Sequence, residues 1–315
     1  MAQFREDRSE LLHFDDPEFP VQYRKNFIPK DAVLDGMIFH WHEEVEFIYV
    51  LKGSVDYQLN KKHVHMEAGE GIFVNARQLH LIIPAGEDCE LYCLIFQPLL
   101  LAPLGQLLGD YVAAVIKNEA LPYLMLNKRE AWKARVLDDI AKLEECKCLE
   151  PDKTDEGTMR WYRGQEGDGR ELAVMSVLYD IWLQLYEHMP RERKEYGESG
   201  SDVLSMKHML FYIHENFREK IVLTDIIKQG NVGKTKCTKL FSEYLHMTPI
   251  EYVNYYRVTE AMKLLCETDL SMTQIASQCG FESVSYFGEV FKQRKGISPR
   301  EFRKQYEDEN GKKAL

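Results

Sequence analysis

Three histidines and a glutamate stand at spacings that could hold a metal ion or a small polar ligand. His40, His42 and Glu46 fall at even intervals in the segment HWHEEVEF, and alternate residues of a strand share one face. His80 follows a second strand and its turn. Imidazole nitrogens with a carboxylate suit a divalent transition metal, and the same side chains could bind an organic ligand by hydrogen bonds. We therefore expect a binding site here, with metal as one of its two alternative occupants.

Short apolar runs separated by turns surround these four residues, from about Val33 to Gln97. The runs FIYVLKG, SVDYQLNKK, GIFVNARQ and LYCLIFQ predict strands of an antiparallel barrel or sandwich. From about Pro103 to Met189 the apolar residues recur every three or four positions, which predicts helices. Between two of these helices, residues 150–169 are polar and rich in glycine, which predicts a mobile loop.

The last third of the chain contains an internal repeat. Residues 223–252 and 272–302 align at an offset of 49, which becomes 50 after one residue is inserted at a turn. Each copy predicts a helix, a tight turn, a second helix and a newly capped third helix. The matching pairs are Ile226 with Ile275, Gln229 with Gln278, Phe241 with Phe291, Pro249 with Pro299, and Tyr252 with Phe302.

Local signals set the bounds of these helices. Capping boxes begin at Thr248, Ser271 and Ser298. In each, the hydroxyl accepts from the third helical N–H, and a Glu or Gln side chain accepts from the backbone N–H of the capping residue. Gly230-Asn231 and Gly280 supply the positive φ that a tight turn between helices requires. A long helix, PIEYVNYYRVTEAMKLLCE, is predicted to join the two copies.

The second helix of each copy is predicted to have a core face and a free face. Residues on the core faces are Cys237, Leu240, Phe241 and Tyr244 in the first copy, and Phe287, Val290, Phe291 and Arg294 in the second. Two such helices on one rigid helix could enter successive major-groove turns about 34 Å apart. The free faces predict contacts to DNA by Thr235, Lys236, Thr238, Lys239, Val284, Ser285, Gly288 and Glu289. Two copies with matching caps favour DNA binding over the solvated faces of an ordinary helical bundle.

The segment IASQCGFESVSYFGEVFKQRKGISPREFRK resembles the signature of the AraC/XylS family of regulators. The matching residues are Gly280-Phe281, Tyr286-Phe287, Phe291-Lys292, Gly296, Ser298-Pro299, Phe302 and Arg303. The resemblance covers about residues 205–305 and places the family's base-contacting positions on the eight residues named above. It implies a ligand-responsive, sequence-specific transcription regulator. We expect an activator and a homodimer that binds promoter or operator DNA and works with RNA polymerase.

Two positions depart from that family pattern. Glu289 stands where members often have a basic or amide side chain; it could accept from a cytosine amino group but would repel phosphate. Gly233 replaces the usual Ser at the start of the first reading helix, a loss of roughly a few tenths of a kcal/mol. We therefore expect Lys236 and Lys239 to provide the stronger anchor.

The segments around His40, His42, Glu46 and His80 resemble the two cupin motifs, although Asn75 and Arg77 replace the common Pro and Gly. This resemblance implies a cupin-like antiparallel β-barrel, and with the C-terminal repeat it gives an α+β chain ending in an all-α double helix-turn-helix domain. It also implies an effector pocket formed by the same four residues, with a carbohydrate as the first expectation. No cofactor is required, and a divalent transition metal at these residues is the alternative.

The charge of the chain is divided unequally. Its formal net charge is −11, but residues 201–315 carry 17 basic and 15 acidic side chains, whereas residues 1–200 carry 23 and 36. The acidic excess therefore leaves the C-terminal part able to face phosphates. The charged N-terminus and the lack of a long apolar stretch predict a cytoplasmic protein without a membrane span. Seven scattered cysteines predict reduced thiols.

These patterns predict a cupin-like effector-binding domain over residues 1–102 and a helical dimerisation or linker segment over 103–190. A flexible linker (191–201), a double helix-turn-helix domain (202–306) and a polar tail (307–315) follow. The last predicted helix of the second segment carries a wide apolar stripe that could pack on its own barrel, form a dimer contact, or do both. The stripe consists of Leu172, Met175, Leu178, Tyr179, Trp182 and Leu185.

Two other functions are compatible with the residues. A cupin metalloenzyme, such as an isomerase or dioxygenase, could be fused to a DNA-binding module, and it would hold stoichiometric metal. An architectural DNA protein would bind DNA without any effector. The repeat and the polar cluster together favour a regulator that is not an enzyme.

Overall fold

The computed structural model describes residues 3–4, 10–12, 14, 18–30, 39–102, 106–145, 149–151, 159–161, 169–190 and 200–309. These residues form two compact units, the first within residues 1–197 and the second mainly within residues 198–315. The first unit contains antiparallel sheets and the second is helical, as the sequence predicts. Among the described helices, none has the length and apolarity needed to cross a bilayer.

Twelve strands occur among the described residues, and all of their pairings are antiparallel. They are β1 (Gln3–Phe4), β2 (Glu10–Leu11), β3 (Val21–Ile28), β4 (Val45–Lys52), β5 (Ser54–Leu59), β6 (Lys62–Glu67), β7 (Gly71–Val74), β8 (His80–Pro84), β9 (Cys89–Phe96), β10 (Tyr123–Leu126), β11 (Leu149–Pro151) and β12 (Met159–Trp161). The order β10-β7-β4-β9-β3-β12-β11 forms the larger sheet and β6-β5-β8 the smaller one, while β1 pairs with β2. The pairing of the described strands forms separate antiparallel sheets, as a barrel or a sandwich would have, and does not by itself show closure into a barrel.

Three strands lie where the sequence predicts other structure. Strand β10 falls among the predicted helices and pairs with β7 at the edge of the larger sheet. Strands β11 and β12 take up parts of the predicted mobile loop, and β12 pairs with β3. All three are three or four residues long, so their own sequences carry almost no periodic signal. The rest of that loop lies outside the described residues.

Three helices cover one face of the larger sheet: α1 (Gln106–Ile116), α2 (Ala131–Lys142) and α3 (Arg170–His188). Alternate residues of β4, namely Val45, Phe47 and Tyr49, point into the core that these helices share with the sheet. Because successive residues of a strand point to opposite faces, Glu46 lies on the other face of β4. The helices therefore belong to the same hydrophobic core as the sheet, and the polar cluster lies away from them.

The second unit consists of α4 (Gly200–Asn216), α5 (Leu223–Gly230), α6 (Lys234–Leu245), α7 (Pro249–Glu267), α8 (Met272–Gln278), α9 (Val284–Lys295) and α10 (Pro299–Glu309). Its order is helix-turn-helix, long helix, helix-turn-helix, which confirms the repeat. The three capping boxes are confirmed by reciprocal hydrogen bonds at Thr248, Ser271 and Ser298. Of the predicted linker 191–201, only the last two residues are described, and they begin α4.

Glycines at the two turns have different roles. Gly280 has φ +75°, and a Cβ there would lie 2.3 Å from the carbonyl oxygen of Phe217, so the turn requires glycine. In the first copy, Asn231 takes the positive φ of 49°, while Gly230 is the last residue of α5. A Cβ on Gly230 would lie 2.7 Å from the Met209 side chain, so close packing explains the glycine.

Candidate functional site

The eight residues predicted to contact DNA lie on the free faces of α6 and α9. Seven of them are exposed: Thr235, Lys236, Thr238, Lys239, Val284, Ser285 and Glu289; the eighth, Gly288, is half-buried. The opposite faces are buried, through Cys237, Leu240, Phe241 and Tyr244 in α6 and Phe287, Val290 and Phe291 in α9. Each helix therefore presents a narrow polar surface backed by a rigid core.

Arg294 is not a core residue, contrary to the prediction that it shares the face of Phe287 and Phe291. It is exposed, its guanidinium lies 5.9 Å from the ring centroid of Tyr255, and Nη2 donates to the Glu251 carbonyl oxygen at 3.2 Å. Spacing along α9 gave the correct side of the helix, but the long side chain extends from the core edge to the surface. Arg294 thus fastens α9 to the start of α7.

Further hydrogen bonds hold α9 and α10 on the long helix. The Asn254 amide donates to the Tyr286 hydroxyl at 2.9 Å, which links α7 to the first turn of α9. Arg303 donates to the carbonyl oxygens of Leu265 and Thr268 at the end of α7, where helical carbonyls lack partners. These contacts tie α9 and α10 to α7, which fixes the orientation of α9 on the long helix.

Acidic side chains pair with both α6 lysines that are predicted to contact DNA. Nζ of Lys236 lies 2.7 Å from Oδ1 of Asp202 on α4, and Nζ of Lys239 lies 3.6 Å from Oε1 of Glu243 on its own helix. Both lysine side chains are about half-exposed or more, so water and salt screen these pairs. The lysines can therefore exchange a carboxylate for a phosphate at small cost.

The four polar residues predicted in the first unit come together between the two sheets. His40 and His80 form an isolated antiparallel bridge, with backbone hydrogen bonds of 3.2 and 2.9 Å between them. One ligand nitrogen from each of His40, His42 and His80 lies within 4.8 Å of the other two. Oε2 of Glu46 lies 3.4 Å from Nε2 of His42 and 3.0 Å from Nε2 of His80. We call these four residues the histidine cluster.

Backbone carbonyls fix the orientation of two imidazoles in the histidine cluster. Nδ1 of His42 lies 3.0 Å from the Glu44 oxygen, and Nδ1 of His80 lies 2.9 Å from the Gln78 oxygen. A carbonyl can only accept, so each Nδ1 carries the hydrogen, and in a neutral ring each Nε2 then offers a lone pair. Both Nε2 atoms are buried, and both face Oε2 of Glu46.

Glu46 is held in its ionised form despite its burial. Burial alone would raise the pKa of Glu46, but the nearby His80 and His42 outweigh it and lower that pKa well below the usual value. Sγ of Cys93 lies 3.8 Å from Oε1 of Glu46, and burial together with this carboxylate raises the pKa of the Cys93 thiol. Cys93 therefore stays a neutral donor to one carboxylate oxygen, while the other faces the imidazoles.

Two residues that depart from the cupin pattern support the loop before His80. The buried Asn75 amide donates to the carbonyl oxygens of Val115 and Leu121, both at 2.9 Å, and so ties this loop to α1 and the segment that follows it. Arg77 pairs with the Glu43 carboxylate through Nε and Nη2 at 2.8–2.9 Å. Its backbone N–H donates to the His42 carbonyl oxygen at 2.8 Å. These contacts bring the segments of His42 and His80 together.

The histidine cluster fits a metal ion by the chemistry of its donors. Two buried Nε2 atoms and a carboxylate oxygen converge, with a third imidazole beside them. Such a set could hold a divalent transition metal, or it could accept hydrogen bonds from the hydroxyls of an organic ligand.

The sequence analysis did not identify Cys93 as part of the site, because its place beside Glu46 follows from the register of β4 with β9.

Comparison with known proteins adds a family to these observations. Residues 30–122 match the AraC-like ligand binding domain, and residues 228–305 match a helix-turn-helix domain. An uncharacterized HTH-type transcriptional regulator of Bacillus subtilis, YdeC, is 30% identical over 304 residues, which are 94% of this chain and 95% of that protein. The Escherichia coli melibiose operon regulatory protein is 23% identical and covers 84% and 83% of the two chains. The lactose operon transcription activator of Staphylococcus xylosus is 25% identical over 46% and 52%.

Proposed function

The chain belongs to the AraC family of helix-turn-helix transcriptional regulators, and from that premise we propose that it activates transcription in response to a small effector. In this proposal α6 and α9 read promoter or operator DNA, and the histidine cluster binds the effector. The observation that carries the proposal is the exposure of the predicted reading residues on two helices whose other faces are fully packed. DNA-reading helices of this class present such a face to base edges.

The proposed division of roles within the reading surface follows from charge. Lys236 and Lys239 of α6 can neutralise phosphates, whereas α9 offers Val284, Ser285 and Glu289. Phosphate contacts supply affinity and base contacts supply specificity, so we assign α6 the stronger anchoring role and α9 a larger part in base selection. Glu289 can accept from a cytosine amino group, which favours cytosine at its position.

The effector class is proposed as a sugar-like polyol. Carboxylate and imidazole groups in the histidine cluster can pair with hydroxyls, and relatives named for the melibiose and lactose operons support a carbohydrate. Effector binding would act by favouring one of two states that differ in DNA affinity. A metalloenzyme would turn over a substrate, whereas the regulator that we propose catalyses no reaction. We propose that it acts in the cytoplasm, where its DNA lies.

Homodimer formation is part of the proposal, and helix α3 offers a surface for it. Leu178, Trp182 and Leu185 pack into the core of the first unit. Leu172, Tyr179 and Leu183 are exposed by 77%, 38% and 48% at spacings that share one helical side. The predicted stripe therefore divides into a core side and a free apolar side suited to a second copy. Contact with RNA polymerase would then give activation.

Selection of bound duplexes from a random pool tests the proposal. The full-length chain should enrich one sequence, and its affinity for that duplex should exceed its affinity for a scrambled duplex by roughly 10³-fold or more. A thermal-shift screen with mono- and disaccharides should find a sugar that raises the melting temperature and alters the affinity for the selected duplex. Equal affinity for selected and scrambled duplexes would remove the regulator proposal; an effector that never alters DNA affinity would leave an architectural DNA protein.

A further inference from the structure

We propose that Arg257 is a positioning residue for DNA reading, and that it sets the distance and angle between α6 and α9 so that both helices meet one DNA face together. The inference rests on the proposed function, because it takes α6 and α9 as the reading helices. It goes further by assigning the coupling of the two helix-turn-helix copies to one side chain. Three observations carry it: the place of Arg257 on α7, the partners of its guanidinium, and the close backbone packing beside it.

Helix α7 lies between two groups of helices, which we call the first half (α4–α6) and the second half (α8–α10). Its Tyr252 ring lies 5.9 Å from the Phe241 ring of α6. Its Tyr256 ring lies 5.1 Å from the ring of Phe217, which follows α4. Arg257 comes next along the helix, at the point where α7 turns from the first half to the second. The α7 residues that follow and pack into the core of the second half are Val258, Ala261, Met262 and Leu265.

The guanidinium of Arg257 binds backbone oxygens just after the end of α4. Nε donates to the Phe217 carbonyl oxygen at 2.8 Å, and Nη2 donates to the Glu219 carbonyl oxygen at 2.7 Å. Arg257 is only 9% exposed, so these charge-assisted hydrogen bonds replace the hydration that its charge has lost. Backbone carbonyls at a helix end lack helical partners, which leaves them free to accept. Arg257 therefore fixes the end of α4 on α7 through two bonds of defined direction.

The same guanidinium also contacts the second half. Its central carbon lies 5.8 Å from the ring centroid of Phe281, which is a cation–π distance. Phe281 is buried, and its ring lies 5.1 Å from the ring of Phe287 on α9. Arg257 thus connects the end of α4, through hydrogen bonds, to the turn that leads into α9, through an aromatic ring.

The two halves also touch through their backbones beside Arg257. The Phe217 carbonyl oxygen, which accepts from Arg257, lies so close to Gly280 that a Cβ there would be 2.3 Å away. The ion pair of Lys220 with Glu282 crosses the same boundary at 3.4 Å, but both side chains are 78% exposed, so it contributes little. The buried contacts of Arg257 therefore provide the directional part of this connection.

Loss of the Arg257 contacts should loosen the two reading helices relative to each other, because the second half keeps its own core. The spacing of the DNA elements that the two helices contact reports on this freedom. One base pair inserted between those elements moves one of them by about 3.4 Å and rotates it by about 35°. A rigid pair of helices cannot follow such a change, whereas a loosened pair can.

The spacing dependence of DNA binding by the full-length protein tests the inference. The selected duplex is compared with duplexes that have one base pair more or fewer between the two contacted elements, which footprinting locates. The wild type should lose at least about thirtyfold in affinity at either altered spacing, a loss of the size that a mismatched contact causes. Arg257→Gln should bind the original duplex about tenfold more weakly, yet lose less than about threefold more at the altered spacings.

Three further variants separate positioning from general effects on stability or charge. Arg257→Lys keeps the charge and can donate to one carbonyl, so it should restore part of the spacing preference. Phe281→Leu removes the aromatic ring but stays apolar; it should relax the preference as well, and it decides the matter if Arg257→Gln fails to fold. Arg218→Gln is the matched control, since it removes a positive charge at an exposed position in the same segment and should keep the wild-type spacing preference.

The outcomes distinguish this inference from the proposed function. The same loss at altered spacing in the wild type and in the folded Arg257 and Phe281 variants would overturn the positioning role and leave the proposed regulator intact. An affinity loss that is uniform over all spacings would show a stability effect alone and would overturn it too. A wild type without preference for any duplex would instead overturn the proposed function. Relaxed spacing in Arg257→Gln or Phe281→Leu, with wild-type behaviour in Arg218→Gln, would support both.

Discussion

At the scale of single residues, the reading lysines are distinguished by their partners within the protein. Their exposure could be predicted from the helical pattern of α6, because buried residues on the other side leave a single free face. Asp202 could not be predicted as the partner of Lys236, since it comes from α4, far away in the sequence. In the proposed DNA complex, this carboxylate would compete with a phosphate for Lys236.

We therefore expect Asp202→Asn to increase DNA affinity. The lysine is about half-exposed and the carboxylate mostly buried; with roughly 1 kcal/mol taken from the upper end of the range for solvent-screened pairs, loss of the pair should tighten binding by up to about fivefold. Fluorescence anisotropy with a labelled selected duplex measures the change. Asp269→Asn removes the same charge at an exposed position outside the reading helices and serves as the control. An equal gain in both variants would show a general charge effect and contradict the specific role of Asp202.

The histidine cluster shows which site residues a sequence can reveal. Even spacing along one strand predicted that His40, His42 and Glu46 meet, and with His80 they do; however, only Glu46 lies on β4, since His42 precedes that strand and His40 forms an isolated bridge with His80. The carbonyl partners of the imidazoles and the supporting role of Asn75 depend on loop conformations that have no periodic pattern. The sequence therefore predicted the donors of the cluster but not the contacts that orient them.

At the scale of elements, prediction succeeded where the signal was local. Helix α7 has the predicted bounds because Thr248 and Glu251 cap its start and Pro249 occupies its first position. Strands β10, β11 and β12 were missed because each is short; β10 and β12 pair with distant strands, and β11 pairs with β12. The chain patterns also left open whether the strands form a barrel or a sandwich, since closure depends on long-range pairing.

The turn between α8 and α9 gives an element-scale prediction. Gly280→Ala should lower the free energy of unfolding of the second unit by about 2–4 kcal/mol, because alanine is strained at positive φ and its Cβ would meet the Phe217 carbonyl. Gly288→Ala is the matched control: it lies within α9 with open space at its Cβ and should be neutral or stabilising by up to about 1 kcal/mol. Thermal and urea unfolding measure both. Equal stability of the two variants would contradict the assigned turn.

At the scale of the whole molecule, charge and apolar surface are divided between functions. The acidic excess lies in residues 1–200, so the negative net charge does not oppose DNA binding by the C-terminal unit. One side of α3 is apolar and exposed, while Leu178, Trp182 and Leu185 on the other side pack into the core of the first unit. Composition alone predicts neither the uneven charge nor the exposed apolar side of α3. The first follows from where the charged residues lie along the chain, and the second from the spacing of apolar residues along the helix.

Dimer formation through α3 leads to the next prediction. Leu183→Glu places a charge on the exposed apolar side of α3 and should shift the chain from dimer to monomer. The monomer should remain folded, because Leu183 is 48% exposed. Sedimentation velocity over a range of concentrations measures the change. Leu99→Glu, at a position 66% exposed outside α3, should leave the dimer intact. A dimer that persists in Leu183→Glu would contradict this interface.

The salt dependence of DNA binding tests the central claim most directly. The affinity for the selected duplex is measured from low to moderate salt for the wild type, for the double variant Lys236→Ala with Lys239→Ala, and for Lys304→Ala, an exposed control on α10. Each lost phosphate contact lowers the slope of log K against log salt by about 0.9, so the double variant should lose roughly two units of slope and bind more weakly. The control should keep the wild-type slope. An unchanged slope and affinity in the double variant would contradict the assignment of α6 as the anchoring helix.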